Sequence, residues 1–330
     1  MLALRDTGLL YTASEERFDR ITRIAARLFE TPIALLTFVT EHEQWFKSSQ
    51  GLEATAIARE FSFCGHAIVA GHTFVVEDAR ADERFAINPL VTGEPKMRFY
   101  AGEPVRRRGE CIGMLCVIDT EPRSFSEADR QILKDLAALA ERELDRGHLN
   151  PARSTITASH SEAERKASID PLTRLWDREA ILELLGAEVA QARREAALSV
   201  ALLDVDNFKL LNDTYGRGAG DRVLVEVAAR LRGAIRDSDC LGRFGGQEFL
   251  ALLPGCGPGD AAAAVSRLLT SISGDPIALR GSALVVTASA GYACLEPGKG
   301  EPGDLVAAAE SALDRAKRAG RNRAEFARAS

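Results

Sequence analysis

Arg243-Phe244-Gly245-Gly246-Gln247-Glu248-Phe249 decides how the C-terminal half of the chain is read. Apolar residues follow from Leu250 to Leu253 and stop at Pro254, so the stretch reads as strand, two-glycine turn, strand. Paired glycines permit positive φ at a hairpin tip and let another molecule approach the backbone closely. An acid just past the turn then sits beside whatever approaches. Upstream, Ser199 to Leu203 is an apolar run that ends in Asp204-Val205-Asp206, a buried strand delivering carboxylates to its end. Two readings of Asp204 stand side by side. It caps the strand, or it serves a hard divalent cation, which takes one or two carboxylates together with substrate phosphates.

The residues around this hairpin suit a nucleotide. Phe208 and Lys209 start a helix, where unpaired backbone N–H groups favour phosphate oxygens. Asn212 and Asp221 suit a guanine, because a carboxylate accepts from both N1–H and N2–H₂ and adenine offers no such pair. A helix is expected from Asp221 to Ile235, with Val223, Leu224, Val227, Leu231 and Ile235 on its buried face. Leu284 to Gly291 reads as a strand and Pro302 to Arg318 as an amphipathic helix. Lys317 and Arg321 are four apart and are expected to share one helix face, although two bases on a helix are ordinarily solvated surface. Asp170-Pro171-Leu172-Thr173-Arg174-Leu175-Trp176-Asp177-Arg178 opens the domain, followed by a helix from about Asp177 to Arg194.

Together these stretches resemble the GGDEF family, the diguanylate cyclases that condense two GTP into cyclic di-GMP with loss of pyrophosphate. The resemblance implies an α+β fold over residues 170–330, a ferredoxin-like nucleotidyl-cyclase palm with a central antiparallel sheet and flanking helices. It implies Mg²⁺ or Mn²⁺ as cofactor, bound by Asp204, the backbone carbonyl of Val205 and the side chain at position 247. It marks Gln247 and Glu248 as the catalytic positions and Phe208, Lys209, Asn212, Asp221, Gly245, Gly246, Lys317 and Arg321 as GTP contacts. Each domain would carry one GTP, so catalysis calls for a homodimer. Arg236-Asp237-Ser238-Asp239 precedes Gly245 by the five residues Cys240 to Phe244, the spacing of the family's inhibitory product site. Taken alone, those four residues also fit a surface ion pair at a helix end.

Three positions depart from the family pattern. Arg174 and Asp177 replace a Gly and an Asn in the opening turn, and altered local geometry is expected there. Gln247 replaces an acid. Gln offers a carbonyl oxygen, adds no charge and accepts no proton near neutral pH. Losing such a group costs at least ~10²-fold in rate. Glu248 is expected to point to the opposite face of its strand and to be a poor substitute. The reading is a diguanylate cyclase regulated by its N-terminal domain and by product feedback, with activity curtailed at Gln247. The alternatives are an inactive receptor for cyclic di-GMP or GTP acting through Arg236 and Asp239, and a regulatory scaffold, for which no positive feature is found.

In the first half, Glu15 to Phe29 has helical spacing and Ile33 to Val39 is a strand covered on both faces. Further strands are read at Thr73 to Glu77, Met97 to Val105 and Cys111 to Ile118, with Arg106 to Glu110 as a charged turn. Gln44 to Lys47, Phe61 to Ile68, Asn88 to Val91, Arg98 to Gly102 and Gly113 to Asp119 resemble, in that order, a GAF sensor domain over residues 15–146. The resemblance implies a small-molecule or protein signal as partner, of unknown identity. Cys64 is read as packed core, with His66 beside it as a capping or core residue, rather than as a chromophore or metal anchor. Ser126 starts a closing helix whose apolar residues from Ile132 to Leu144 fit either its own domain or a second copy. Residues 147–169 form a linker with a short helix from Glu162 to Ile169.

Bulk properties bound the partners. A 330-residue chain suggests about two domains. A formal charge of −6 gives no reason to expect nucleic acid. With neither an eighteen-residue apolar run nor a basic-then-apolar leader, no membrane partner is expected. Six cysteines without a CxxC pair fit reduced thiols, and the expected location is cytoplasmic.

Overall fold

The structure, a computed structural model, describes residues 2–5, 7–145, 161–195, 197–279, 282–295 and 301–328. It divides into two compact units, Met1–His148 and Leu149–Ser330. The linker expected between them lies mostly outside the described residues.

In the first unit the elements are α1 (Leu2–Arg5), α2 (Glu16–Leu28), β1 (Ile33–Val39), β2 (Glu43–Gln50), β3 (Ala56–Ala58), α3 (Phe63–Ala70), β4 (Phe74–Val76), α4 (Pro89–Thr92), β5 (Phe99–Arg107), β6 (Glu110–Asp119) and α5 (Glu127–Asp145). The strands form one antiparallel sheet in the order β3-β2-β1-β6-β5-β4. Every residue of β1 is buried, as its unbroken apolar run requires. Helices α2 and α5 pack together, and Arg17 donates to the Glu143 carbonyl at 2.7 Å. Against β5 and β6 lies α3, capped by the Ser62 hydroxyl on the Gly65 N–H. Leu133, Leu136, Ala140 and Leu144 of α5 are buried and Leu139 is 45% exposed, so most of this helix's apolar stripe serves its own domain.

Two sequence expectations change here. The β5–β6 turn is tighter than Arg106 to Glu110, because the strands run through Arg107 and resume at Glu110. Arg108 (φ 51°) and Gly109 (φ 82°) alone make the turn, the two left-handed residues that fit a twisted hairpin. No strand was expected at β2, which buries Lys47. The Lys47 ammonium donates to Thr12 Oγ1 and the Ala13 carbonyl at 2.8 Å and meets Glu15 Oε1 at 2.7 Å. A charge so fully paired is tolerated in a core.

The second unit contains α6 (Glu162–Ala167), α7 (Arg178–Glu195), β7 (Leu198–Val205), α8 (Phe208–Tyr215), α9 (Arg217–Ala234), β8 (Cys240–Arg243), β9 (Glu248–Pro254), α10 (Pro258–Ser273), β10 (Ile277–Leu279), β11 (Ser282–Leu284), β12 (Ala288–Cys294), α11 (Pro302–Arg318) and β13 (Ala324–Arg328). Its main sheet has the order β13-β12-β7-β9-β8, antiparallel except for the parallel β12–β13 pair. Two stretches differ from expectation. The predicted strand from Leu284 to Gly291 is two strands: β11 pairs only with β10, and β12 joins the main sheet. Helix α9 begins at Arg217, which puts Asp221 in its second turn.

Leu203, Val205, Phe249, Ala251 and Leu253 face a core shared with α9 and α10. On β12, Gly291 lies against α11, where an added Cβ would stand 2.1 Å from the Ala309 carbonyl oxygen and 2.2 Å from the Leu313 nitrogen. Backbone meets backbone there, and α11 sits low on the sheet.

Candidate active site

The register of β7 against β9 sets the site. Asp204 pairs directly with Glu248, and directly opposed residues of an antiparallel pair project from the same face. The expectation that Glu248 points away is therefore corrected: register across the sheet, not alternation within one strand, determines which acid accompanies Asp204. Burial, then the neighbouring Asp204 charge, pushes the Glu248 carboxyl up from its ordinary value, with Lys317 opposing.

Asp204 is 4% exposed, and Lys317 Nζ on α11 approaches its Oδ2 at 3.0 Å. Gln247 lies just ahead of β9, and its Nε2 donates to the same oxygen at 3.2 Å. Val205, the last residue of β7, is buried, and its N–H donates to the Gln247 carbonyl at 3.3 Å. Gln247 thus presents its amide N–H₂ to Asp204.

Gly245 and Gly246 do not adopt positive φ. At Gly245 an added Cβ would stand 2.5 Å from Glu248 Oε2, so a side chain there would displace that carboxylate. Gly246 is exposed, with no atom within 4 Å of such a Cβ. The turn is braced from both sides. Arg243 donates to the Gly246 carbonyl at 2.7 Å and pairs with Asp170 at 3.1 Å, while Asp170 accepts from the Thr173 N–H and hydroxyl. Arg178 donates to the Phe244 carbonyl at 3.2 Å and lies 4.1 Å over the Phe244 ring. Sequence reasoning quoted Asp170, Arg178 and Arg243 within motifs without giving them this bracing role.

At Arg174 the backbone holds φ 60°, the conformation a glycine would favour. The substitution therefore places its cost in backbone strain instead of reshaping the turn. Asp177 performs an Asn's task, its Oδ1 accepting from the Ala180 N–H at 2.8 Å to cap α7.

After β7 comes the stretch that holds the expected guanine contacts. Asn207 precedes α8 at φ 55° and its side chain caps nothing, while Lys209 is exposed in the first turn. Phe208 is buried beneath. Asn212 Oδ1 is buried with no hydrogen-bond partner. Gly220 makes the space for it: an added Cβ would stand 2.0 Å from that oxygen and 3.1 Å from Phe208 Cζ. Asp221 follows, exposed. An orphaned buried acceptor beside an exposed carboxylate is chemistry for a ligand rich in N–H donors.

Lys317 is on α11, but Arg321 is not, which corrects the shared helix face. The helix ends at Arg318, and Gly320 (φ 111°), Arg321 (φ 60°) and Asn322 (φ 47°) turn left-handed in succession. The Arg321 N–H bonds back to the Ala316 carbonyl at 3.1 Å and the Gly320 N–H to the Lys317 carbonyl at 3.5 Å, a glycine-ended helix cap. Asp206 pins this turn: Oδ2 accepts from the Asn322 N–H at 3.1 Å and the Thr287 hydroxyl at 2.7 Å, and Oδ1 from the Ser289 hydroxyl at 2.7 Å. Of the two acids at the end of β7 and just past it, Asp204 faces Lys317 and Gln247 while Asp206 holds the turn after α11.

Arg236 and Asp239 lie in the turn just before β8. Asp239 is buried, Oδ2 accepts from the Arg236 backbone N–H at 2.8 Å, and burial raises its carboxyl. Arg236 is exposed. Of the pair, only Arg236 offers its side chain outward. Among the described residues no cluster of three or more His, Cys, Asp or Glu forms a metal cage, and no helix is long and apolar enough to cross a membrane. The six cysteines are all free thiols.

Comparison with known proteins places these features in families. A GAF domain model matches residues 14–144, and the model of the diguanylate cyclase GGDEF domain matches residues 167–323. The chain is 36% identical over 276 residues to the diguanylate cyclase DgcP of Pseudomonas aeruginosa, covering 81% of this chain and 40% of that protein. It is 34% identical over 279 residues to a cyclic di-GMP phosphodiesterase of the same organism, covering 83% and 44%. The chain thus spans less than half the length of these curated relatives. Among solved structures, the GGDEF domain of DgcB from Caulobacter crescentus in complex with cyclic di-GMP shows 30% identity and a TM-score of 0.47, over 48% of this chain and 95% of that one. The chain is a GAF domain followed by a GGDEF domain and belongs to the GGDEF family.

Proposed function

We propose that the second unit is a GTP-binding nucleotidyltransferase domain of the diguanylate cyclase type, with its turnover curtailed by Gln247. The observation that carries this reading is the pairing of Asp204 and Glu248 on one sheet face, with Lys317 on the first acid. Two carboxylates and the strand-end carbonyl of Val205 fit a hard divalent cation. Bound there, Mg²⁺ or Mn²⁺ would neutralise charge developing on the phosphate oxygens.

The protein's own groups divide the remaining work. Asn212 Oδ1 accepts an N–H of guanine and Asp221 accepts from its Watson–Crick edge. The first turn of α8, Lys209, Lys317 and Arg321 receive the phosphates. Gly245 and Gly246 keep the turn open to the nucleotide. Gln247 supplies neither charge nor a base for the attacking 3′-hydroxyl. One site carries one GTP, so joining two requires a homodimer. Exposed Arg236 offers a bidentate grip to cyclic di-GMP for feedback, with Asp239 shaping the turn. The GAF unit receives the signal, a small molecule or a protein.

Product formation from GTP and Mg²⁺, followed by chromatography, tests this with the chain beside its Gln247→Glu variant. The variant is expected to form cyclic di-GMP at least ~10²-fold faster. Equal rates would show that Gln247 does not limit turnover. No product from either, with calorimetric binding of cyclic di-GMP, would replace the enzyme by the receptor reading at Arg236.

A further inference from the structure

Cys64 on α3 and Cys116 on β6 bring their sulfurs within 3.8 Å of one another inside the first unit. Both are buried, yet Cys64 also lines a cavity of about 160 Å³ walled by Leu35, Phe46, Ile57 and Met97. The same lining includes Ala54 and Glu94, which are exposed, so the cavity has a rim at the surface. A water molecule claims about 30 Å³ of liquid volume, so the space admits a small oxidant with room to spare. We propose that Cys64 is a site of oxidation by hydrogen peroxide and that Cys116 converts the product into an intramolecular disulfide.

Buried thiols in apolar surroundings are ordinarily inert, because burial disfavours the thiolate. The Cys64 sulfur has polar company. Gln44 Nε2 donates to it at 3.1 Å, and Tyr100 Oη lies 3.0 Å away. The Ser62 hydroxyl donates to Gln44 Oε1, which fixes that amide with its N–H₂ toward the sulfur. Burial alone would push the Cys64 thiol up, but its hydrogen bonding with Cys116, Tyr100, Thr37 and Gln44 outweighs it and brings the thiol below its ordinary value. Cys116 goes the other way, raised by its hydrogen bond to Cys64 and by burial. Burial likewise raises the Tyr100 hydroxyl, which keeps its proton as a donor.

The chemistry then has an order. The Cys64 sulfur attacks one peroxide oxygen, the O–O bond breaks, and the leaving hydroxide takes the thiol proton as water. Cys64 becomes a sulfenic acid. The Cys116 sulfur displaces its hydroxyl, which leaves as water with the Cys116 proton, and the S–S bond forms. Two thiols are oxidised and one peroxide is reduced to two waters. The product would staple α3 to β6, the helix that lines the cavity to the strand beneath it.

The full chain, treated with hydrogen peroxide and digested without reductant, tests this by mass spectrometry. A Cys64–Cys116 cross-linked peptide is expected before Cys111, Cys240, Cys256 or Cys294 is modified. Initial oxidation at half-buried Cys111 with no such cross-link would overturn the proposal. In a Cys116→Ser variant with an unchanged far-UV spectrum, dimedone should label Cys64 at least about tenfold faster than Cys111. Slower labelling would also overturn it. If that variant does not fold, the mapping on the unmodified chain decides.

Discussion

Gln247 Nε2 and Lys317 Nζ converge on a single oxygen, Oδ2 of Asp204, at 3.2 and 3.0 Å. The amide saturates an oxygen that a cation would want. Replacing Gln247 with Glu removes that donor and adds a charge beside Glu248. Mn²⁺ affinity of the Gln247→Glu variant, read by calorimetry, is therefore expected to rise about tenfold or more. Unchanged affinity would place position 247 outside the reach of the metal.

Glu248 gives the domain a pH dependence of defined sign. Its carboxyl titrates above the ordinary Glu value because of burial and the Asp204 charge, so its folded value lies above its unfolded one. The associated stability is complete at acid pH and is lost as pH rises through the raised value. Glu248→Gln removes that loss. The variant should match the parent in melting temperature at acid pH and exceed it at neutral pH, in the absence of metal. Coincident curves across the range would refute this.

Gly220 is predicted to control base recognition without touching the base. A methyl group there would stand 2.0 Å from Asn212 Oδ1 and drive the side chain away. Gly220→Ala should weaken GTP binding about tenfold, the worth of one well-placed hydrogen bond, and leave ATP binding nearly unchanged. Competition binding with the two nucleotides separates these results.

Asp206 should matter for folding more than for chemistry. Three donors, from the residue before β12, from β12 itself and from the turn after α11, end on its carboxylate. Asp206→Ala leaves them unpaired at a cost of about 3 kcal/mol, and Asp206→Asn, which keeps the shape, should cost less. Denaturant midpoints report both. A shift below about 0.5 kcal/mol for the alanine variant would show that the turn stands without it.

How legible the molecule was depended on whether a signal was local. The apolar runs of β1 and β7 gave their strands, and α11 spans Pro302–Arg318 as its spacing predicts. Features set by pairing were out of reach. That Glu248 shares the Asp204 face depends on the β7–β9 register, which alternation along β9 alone does not reveal. The backbone at Arg321 departs from the helix because Gly320 ends it and Asp206 captures Asn322, neither of which a four-residue spacing reveals. Buried Lys47 hid β2, since its three partners lie 32 to 35 residues away in sequence. Asp239 had a recognisable spacing, but its carboxylate turned inward to the Arg236 N–H.

The close approach at Gly291 reaches further than packing. Leu313, whose nitrogen would collide with a side chain there, stands one helical turn before Lys317. Any carbon added to the strand would jack the helix off the sheet and carry the ammonium of Lys317 away from Asp204. The clearance beneath α11 works as a mechanical tolerance: the reach of the site's cation is gauged by a missing side chain on a neighbouring strand, and a neutral, chemically silent substitution at Gly291 would detune the charge balance of the site.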